Sequence, residues 1–207
     1  MQTRAFRTAI LAFDELDLLD LTAPLAALTQ AGRRWNFRPF RIQVAAPRAG
    51  RVTTRNQLAF DAEQAWSELE PAEIVLIPGG YGARRVAETP ELVRELARIA
   101  GSARLVAGIG WGVYALAAAG LVGARRVAAG PDVDVLLRAT SPEARLENSG
   151  APVFDAPLLT ARAGGSALEV GLTLVEKSFG AKLRAMLEAD LGLSRTERID
   201  IVGAKLP

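Results

Sequence analysis

Leu105-Val106-Ala107-Gly108-Ile109-Gly110-Trp111-Gly112-Val113-Tyr114-Ala115-Leu116-Ala117-Ala118-Ala119-Gly120 decides the fold. Residues 105–109 form a short apolar run, the pattern of a strand buried on both faces of a parallel sheet. Residues 115–119 are a strong helix-forming run, closed by Gly120. Between them, Gly108, Gly110 and Gly112 make Gly-x-Gly-x-Gly. A strand turning this sharply into a helix needs small residues, because the backbones crowd and one residue takes positive φ. The same geometry builds a nucleophile elbow, whose apex residue is presented above the sheet at a helix N-terminus. The apex here is Gly110, so the sequence predicts an elbow with no side chain at its tip.

Outward on the N-terminal side, residues 73–77 are a second continuous apolar strand, ended by Pro78-Gly79-Gly80-Tyr81-Gly82. Ligand pockets lie at the carboxyl edge of such strands, which makes Gly79 and Gly80 candidate pocket residues. A glycine turn with no other role is the plainer reading. Before it, residues 8–13 predict the first strand. A helix is expected over 21–31, with Asp20 as its cap, Pro24 near its start and Gly32 at its end. Residues 40–45 predict the second strand. Two short runs around Asn56 predict a hairpin, and Trp66 and Leu69 fall in a short helix. Thr89 and Pro90 open another helix, with Leu92, Leu96 and Ile99 on its apolar face.

Beyond the elbow, residues 131–138 predict a short helix and 158–161 a late strand. The last long helix opens after Gly164-Gly165-Ser166, with Leu168, Leu172, Val175 and Phe179 on its core face. Residues 182–191 close the fold, and the stretch from Ser194 has no clear assignment. The element order implies an α/β fold: a doubly wound three-layer sandwich with a mostly parallel, flavodoxin-like sheet. A length of 207 residues fits one domain spanning 1–207.

Three motifs carry a family resemblance. They are Leu19-Asp20-Leu21-Thr22-Ala23-Pro24, Pro78-Gly79-Gly80, and Leu116-Ala117-Ala118-Ala119-Gly120-Leu121-Val122. The chain resembles the ThiJ/PfpI superfamily (class I glutamine amidotransferase-like), and within it the isonitrile hydratase-like branch. The resemblance puts the family's nucleophilic cysteine at Gly110 and its histidine at Ala129. It puts the aspartate that faces the cysteine in proton transfer at Asp20, where a plain helix cap is the competing reading. It implies oxyanion-hole donors at the Gly80 and Trp111 N–H groups, with Gly112 beside them. Arg162 stands where the family has a small residue, and either closes the pocket, binds an anion or makes a surface salt bridge. Homodimerisation is implied by the resemblance alone.

Composition then narrows the chemistry. The chain has no cysteine and no histidine. That excludes disulfides, zinc–thiolate sites and Cys-His or Ser-His machinery within it. No carboxylate cluster has metal-ligand spacing, and no cofactor is implied. The formal net charge is only +2. Arg33, Arg34, Arg38, Arg41, Arg48, Arg51 and Arg55 therefore read as a solvated face, with no nucleic-acid partner expected. No apolar run is long enough for a membrane span, and the N-terminal residues do not read as a signal peptide, so a cytoplasmic protein is expected.

The favoured reading is a non-catalytic relative, a pseudoenzyme or sensor that binds a small molecule, with Trp111 lining or plugging the vacated space. The alternative is an isonitrile hydratase-like lyase in which Asp20 activates water directly. Protease, glyoxalase and deglycase activities of the wider superfamily also need the cysteine.

Overall fold

A computed structural model describes residues 5–33, 36–148 and 150–193. The stretch from Ser194 and Arg34 lie outside the described residues. Seven strands form the central sheet in the order β10-β11-β7-β6-β1-β2-β5. They are β1 (Phe6–Leu11), β2 (Phe40–Ala46), β5 (Gln64–Ala65), β6 (Ile74–Ile77), β7 (Leu105–Ile109), β10 (Val153–Asp155) and β11 (Leu158–Ala161). All pair in parallel except β10, which runs antiparallel to β11. The continuous apolar runs are explained by position. Every residue of β6 is fully buried, because helices cover both faces of the sheet centre.

The helices are α1 (Leu18–Gln30), α2 (Tyr81–Glu88), α3 (Pro90–Ala100), α4 (Trp111–Ala118), α5 (Pro131–Thr140), α6 (Ala167–Phe179) and α7 (Ala181–Asp190). They pack as two groups, α1 with α6 and α7, and α2 with α3, α4 and α5. A side hairpin joins β3 (Gly50–Thr53) to β4 (Ala59–Ala62), and β8 (Arg126–Val127) pairs with β9 (Arg145–Leu146). This is the three-layer α/β sandwich expected, with a mostly parallel sheet. Arg33, Arg38, Arg41, Arg48, Arg51 and Arg55 are all exposed.

Several boundaries differ from the sequence reading, for physical reasons. Helix α1 begins at Leu18, with Asp17 at the N-cap position, and Asp20 is its third residue. Asp20 therefore does not cap the helix. The early start is supported by Asn56, whose Oδ1 accepts the Leu18 N–H at 3.0 Å from the hairpin. Pro24 consequently lies inside the helix, where its ring removes one backbone donor. Helix α6 packs tightly there: a Cβ at Gly171 would lie 2.8 Å from Pro24 Cα.

Helix α4 starts at Trp111, four residues before the alanine run that signals it. Helix α2 and the short strands β5, β8, β9 and β10 had no expectation at all. The glycines that made 78–82 read as a turn lead directly into α2, with Gly80 as its N-cap. Leu168 and Phe179 are only partly buried, while Leu172 and Val175 are core.

Candidate functional site

The ends of β1, β6, β7 and β11 converge at the carboxyl edge of the sheet, where open α/β sheets place their ligand sites. Helix α1 leads Asp20 back into this convergence, and its side chain is 0% exposed. The Gly164 N–H, just beyond β11, donates to Asp20 Oδ1 at 2.8 Å. Oδ2 is buried and makes no hydrogen bond of regular geometry. It lies against Gly79, where any Cβ would overlap it. Burial raises the Asp20 pKa to about 6. The Gly164 N–H opposes that rise, the nearby Asp17 charge adds to it, and the approaching Gly79 N–H opposes it slightly.

Gly110 stands at the strand–helix turn with φ 52 and ψ −120, a conformation that strains any residue bearing a Cβ. Its N–H donates to Ala161 O at 2.8 Å, and its carbonyl accepts the Val113 N–H at 3.0 Å. A Cβ built at Gly110 would stand 2.8 Å from Ala163 Cβ. The methyl of Ala163 thus occupies the direction an apex side chain would take. Gly112 packs α4 against the end of β6, leaving 2.7 Å between a Cβ there and Pro78 O.

Of the residues singled out from sequence, Asp20, Gly79 and Gly110 meet around the ends of β6, β7 and β11. Gly80, with φ 107, abuts the turn formed by Glu15, Leu16 and Asp17. Trp111 opens α4 directly after Gly110, and its ring lies 6.1 Å from that of Tyr81 and 6.1 Å from that of Tyr114 between centroids. Arg162 is exposed and lines an open cavity with Pro152, Ser166 and Glu169. Ala163 lines that same cavity beside Arg162. Ala129 is buried. Among the described residues, no cluster of carboxylates is arranged to hold a metal ion, and no helix is long and apolar enough to cross a membrane.

The Gly164 N–H and the Ala163 methyl were missed by sequence reasoning. Neither has a local signal, because their partners lie far away in the chain. Arg55 and Tyr81 were missed as a pair for the same reason: the guanidinium carbon sits 4.3 Å from the ring centroid.

A buried carboxylate and a glycine elbow at the carboxyl edge of a parallel sheet define the class, a flavodoxin-like α/β sandwich with a strand–turn–helix site. The chain belongs to the DJ-1/PfpI family, which it matches over residues 6–177. It is 32% identical over 126 residues to the Parkinson disease protein 7 homolog of Danio rerio, covering 58% of this chain. The match covers 64% of that relative's length. Among solved structures, a THiJ/PfpI family protein from Pseudomonas syringae superposes with a TM-score of 0.83 at 17% identity, covering 97% of this chain and 80% of the other. Drosophila melanogaster DJ-1beta gives 0.80 at 19% identity, with 92% and 100% covered. An AraC family transcriptional regulator from Pseudomonas putida gives 0.76 at 19% identity, with 90% and 98% covered. At these identities the structures speak for the fold.

Proposed function

We propose that this chain is a DJ-1/PfpI-family protein whose nucleophile position is Gly110, and that it binds a small molecule without turning it over, as a pseudoenzyme or sensor. The observation that carries this reading is the pairing of Gly110 with Ala163, whose methyl would lie only 2.8 Å from the first atom of an apex side chain. The chain has no cysteine to serve as thiolate and no histidine to serve as its base. The use of this fold in a transcriptional regulator fits a sensing role. The same proposal takes the protein to be a cytoplasmic homodimer that acts without a nucleic-acid or membrane partner. An open groove of about 700 Å³ between α1 and the hairpin, lined by Leu18, Leu25, Ile42, Leu58 and Phe60 among others, supports the dimer.

A second reading, an isonitrile hydratase-like lyase, is favoured by one observation. Burial holds the Asp20 carboxyl at a pKa of about 6, close to where a general base works best. Asp20 would take a proton from a water attacking the isonitrile carbon, with proton return giving the N-substituted formamide. The Gly80 and Trp111 N–H groups would face the developing charge. Following formamide formation from a simple alkyl isonitrile, with wild type and Asp20→Ala, separates the two readings. No product from either protein is the outcome expected of the pseudoenzyme. Turnover that disappears in Asp20→Ala would overturn that reading in favour of the lyase.

A further inference from the structure

A cleft of about 370 Å³ opens between the hairpin and the start of α2, outside the buried elbow. Its hairpin wall is pinned to the turn that follows β1. The Glu15 N–H donates to Thr53 O at 2.8 Å, and the Thr53 N–H donates to Asp14 Oδ1 at 2.9 Å. The Arg55 N–H donates to Leu16 O at 2.9 Å. These bonds join two chain segments some forty residues apart and hold the cleft in shape before anything binds.

Two of its lining residues have left-handed backbone. Glu15 has φ 61 and Gln57 has φ 65, and both line the cleft. Left-handed backbone at residues other than glycine and asparagine is costly, and such positions gather at functional sites. The charges of the cleft are unequally satisfied. Arg85 is paired with Glu15, and Asp14 accepts the Thr53 N–H. Arg55 sits over the Tyr81 ring with its guanidinium carbon 4.3 Å from the centroid, and among the described residues no carboxylate reaches it. Tyr81 is 52% exposed even beneath that guanidinium, and its ring continues to Trp111.

The geometry points to this cleft as a binding site for a small aromatic monocarboxylate, its carboxylate on the Arg55 guanidinium and its ring against Tyr81. Among the described residues Arg55 has no carboxylate partner, and one such cation matches one negative charge. Asp14 and Glu15 on the same rim disfavour a polyanion such as a nucleoside triphosphate. A planar guanidinium takes a carboxylate through two parallel hydrogen bonds, and an exposed aromatic offers a flat apolar surface beside it. Neither Gly110 nor Asp20 lines this cleft, so the assignment stands or falls independently of the function proposed above.

Isothermal titration of the full chain with 2-naphthoate tests it. Saturable binding at one site is expected, weakened about tenfold or more in both Arg55→Gln and Tyr81→Leu, with circular dichroism confirming that each variant is folded. The uncharged 2-naphthylmethanol, titrated into wild type, is expected to bind about tenfold more weakly, because the charge-assisted contact is gone. Absence of saturable binding would overturn the assignment. So would affinity unchanged in the two variants, or displacement of the naphthoate by equimolar inorganic phosphate. Binding lost in Asp20→Asn but kept in Arg55→Gln would move the ligand to the elbow and overturn it equally.

Discussion

Gly164 donates its backbone N–H to Asp20 Oδ1 at 2.8 Å, across 144 residues of chain. This single bond ties the segment after β11 to α1, and among the described residues it is the only regular hydrogen bond of this fully buried carboxylate. One bond does not replace the hydration of a charge, which is why burial dominates and the pKa sits at about 6.

That shift makes stability depend on pH. The folded pKa of about 6 lies above the ordinary value of 3.8, so the native state holds the proton more tightly than the unfolded chain. The contribution of Asp20 is complete below the unfolded pKa and is lost as pH rises through the folded one, amounting to about 3 kcal/mol. Asp20→Asn keeps an acceptor for Gly164 and removes the charge. Urea unfolding from pH 4 to 8 is expected to show the variant more stable than wild type above pH 6.5, by about 1–3 kcal/mol, with the gap closing towards pH 4. A gap independent of pH would mean that Asp20 is already neutral at pH 8 or is well solvated.

Gly110 and Ala163 form a steric pair. Gly110→Cys is expected to destabilise by about 2–4 kcal/mol, through its φ of 52 and the 2.8 Å approach to the Ala163 methyl. Ala163→Gly removes the methyl and is expected to restore about 1–2 kcal/mol in the double variant. Thermal or urea melts of the four proteins in the cycle measure the coupling. Additive effects would mean that the elbow has room for a side chain as it stands.

Arg184 is the clamp between α6 and α7. Its guanidinium meets Glu176 at 3.0 Å and Glu188 at 2.8 Å, and reaches Glu169 as well, with its side chain 21% exposed. Three acceptors on one half-buried cation exceed what an isolated surface pair contributes. Arg184→Met is expected to cost about 1–3 kcal/mol and to raise amide exchange in α7 before the rest of the molecule. Uniform exchange across the chain would argue against a local clamp.

Leu58 is 58% exposed on the groove beside α1. If a second copy covers that groove, Leu58→Asp buries a charge in the interface and is expected to weaken the dimer by about 2 kcal/mol or more. Light scattering over a dilution series reads the shift. A wild-type protein that is monomeric at high concentration removes the dimer, and an unaltered dimer in the variant removes this face from it.

Elements with complete local signals were legible from the start. Strand β7 runs over Leu105–Ile109 and strand β11 over Leu158–Ala161, as their apolar runs indicate, and α3 opens at Pro90 behind Thr89. Helix α2 was hidden, because Gly79, Gly80 and Gly82 read as turn residues. Gly80 and Gly82 are needed for close packing against the turn after β1, and Gly79 for packing against Asp20 and Ile109, demands made by other parts of the chain.

By itself the sequence determined the layered parallel fold, the elbow with an empty apex at Gly110, and the absence of thiol and imidazole chemistry from the chain. Periodicity, glycine spacing and composition are local or additive properties, so they need no coordinates. Tertiary structure decided the rest. It took Asp20 from a helix cap to a buried carboxylate, because Asn56 supplies the partner that lets α1 begin at Leu18. It put the Ala163 methyl against Gly110. It brought Arg55 over Tyr81 at a separate cleft. Each of these depends on which distant segment lies alongside, and burial, hydrogen bonding and pKa are all set by those neighbours.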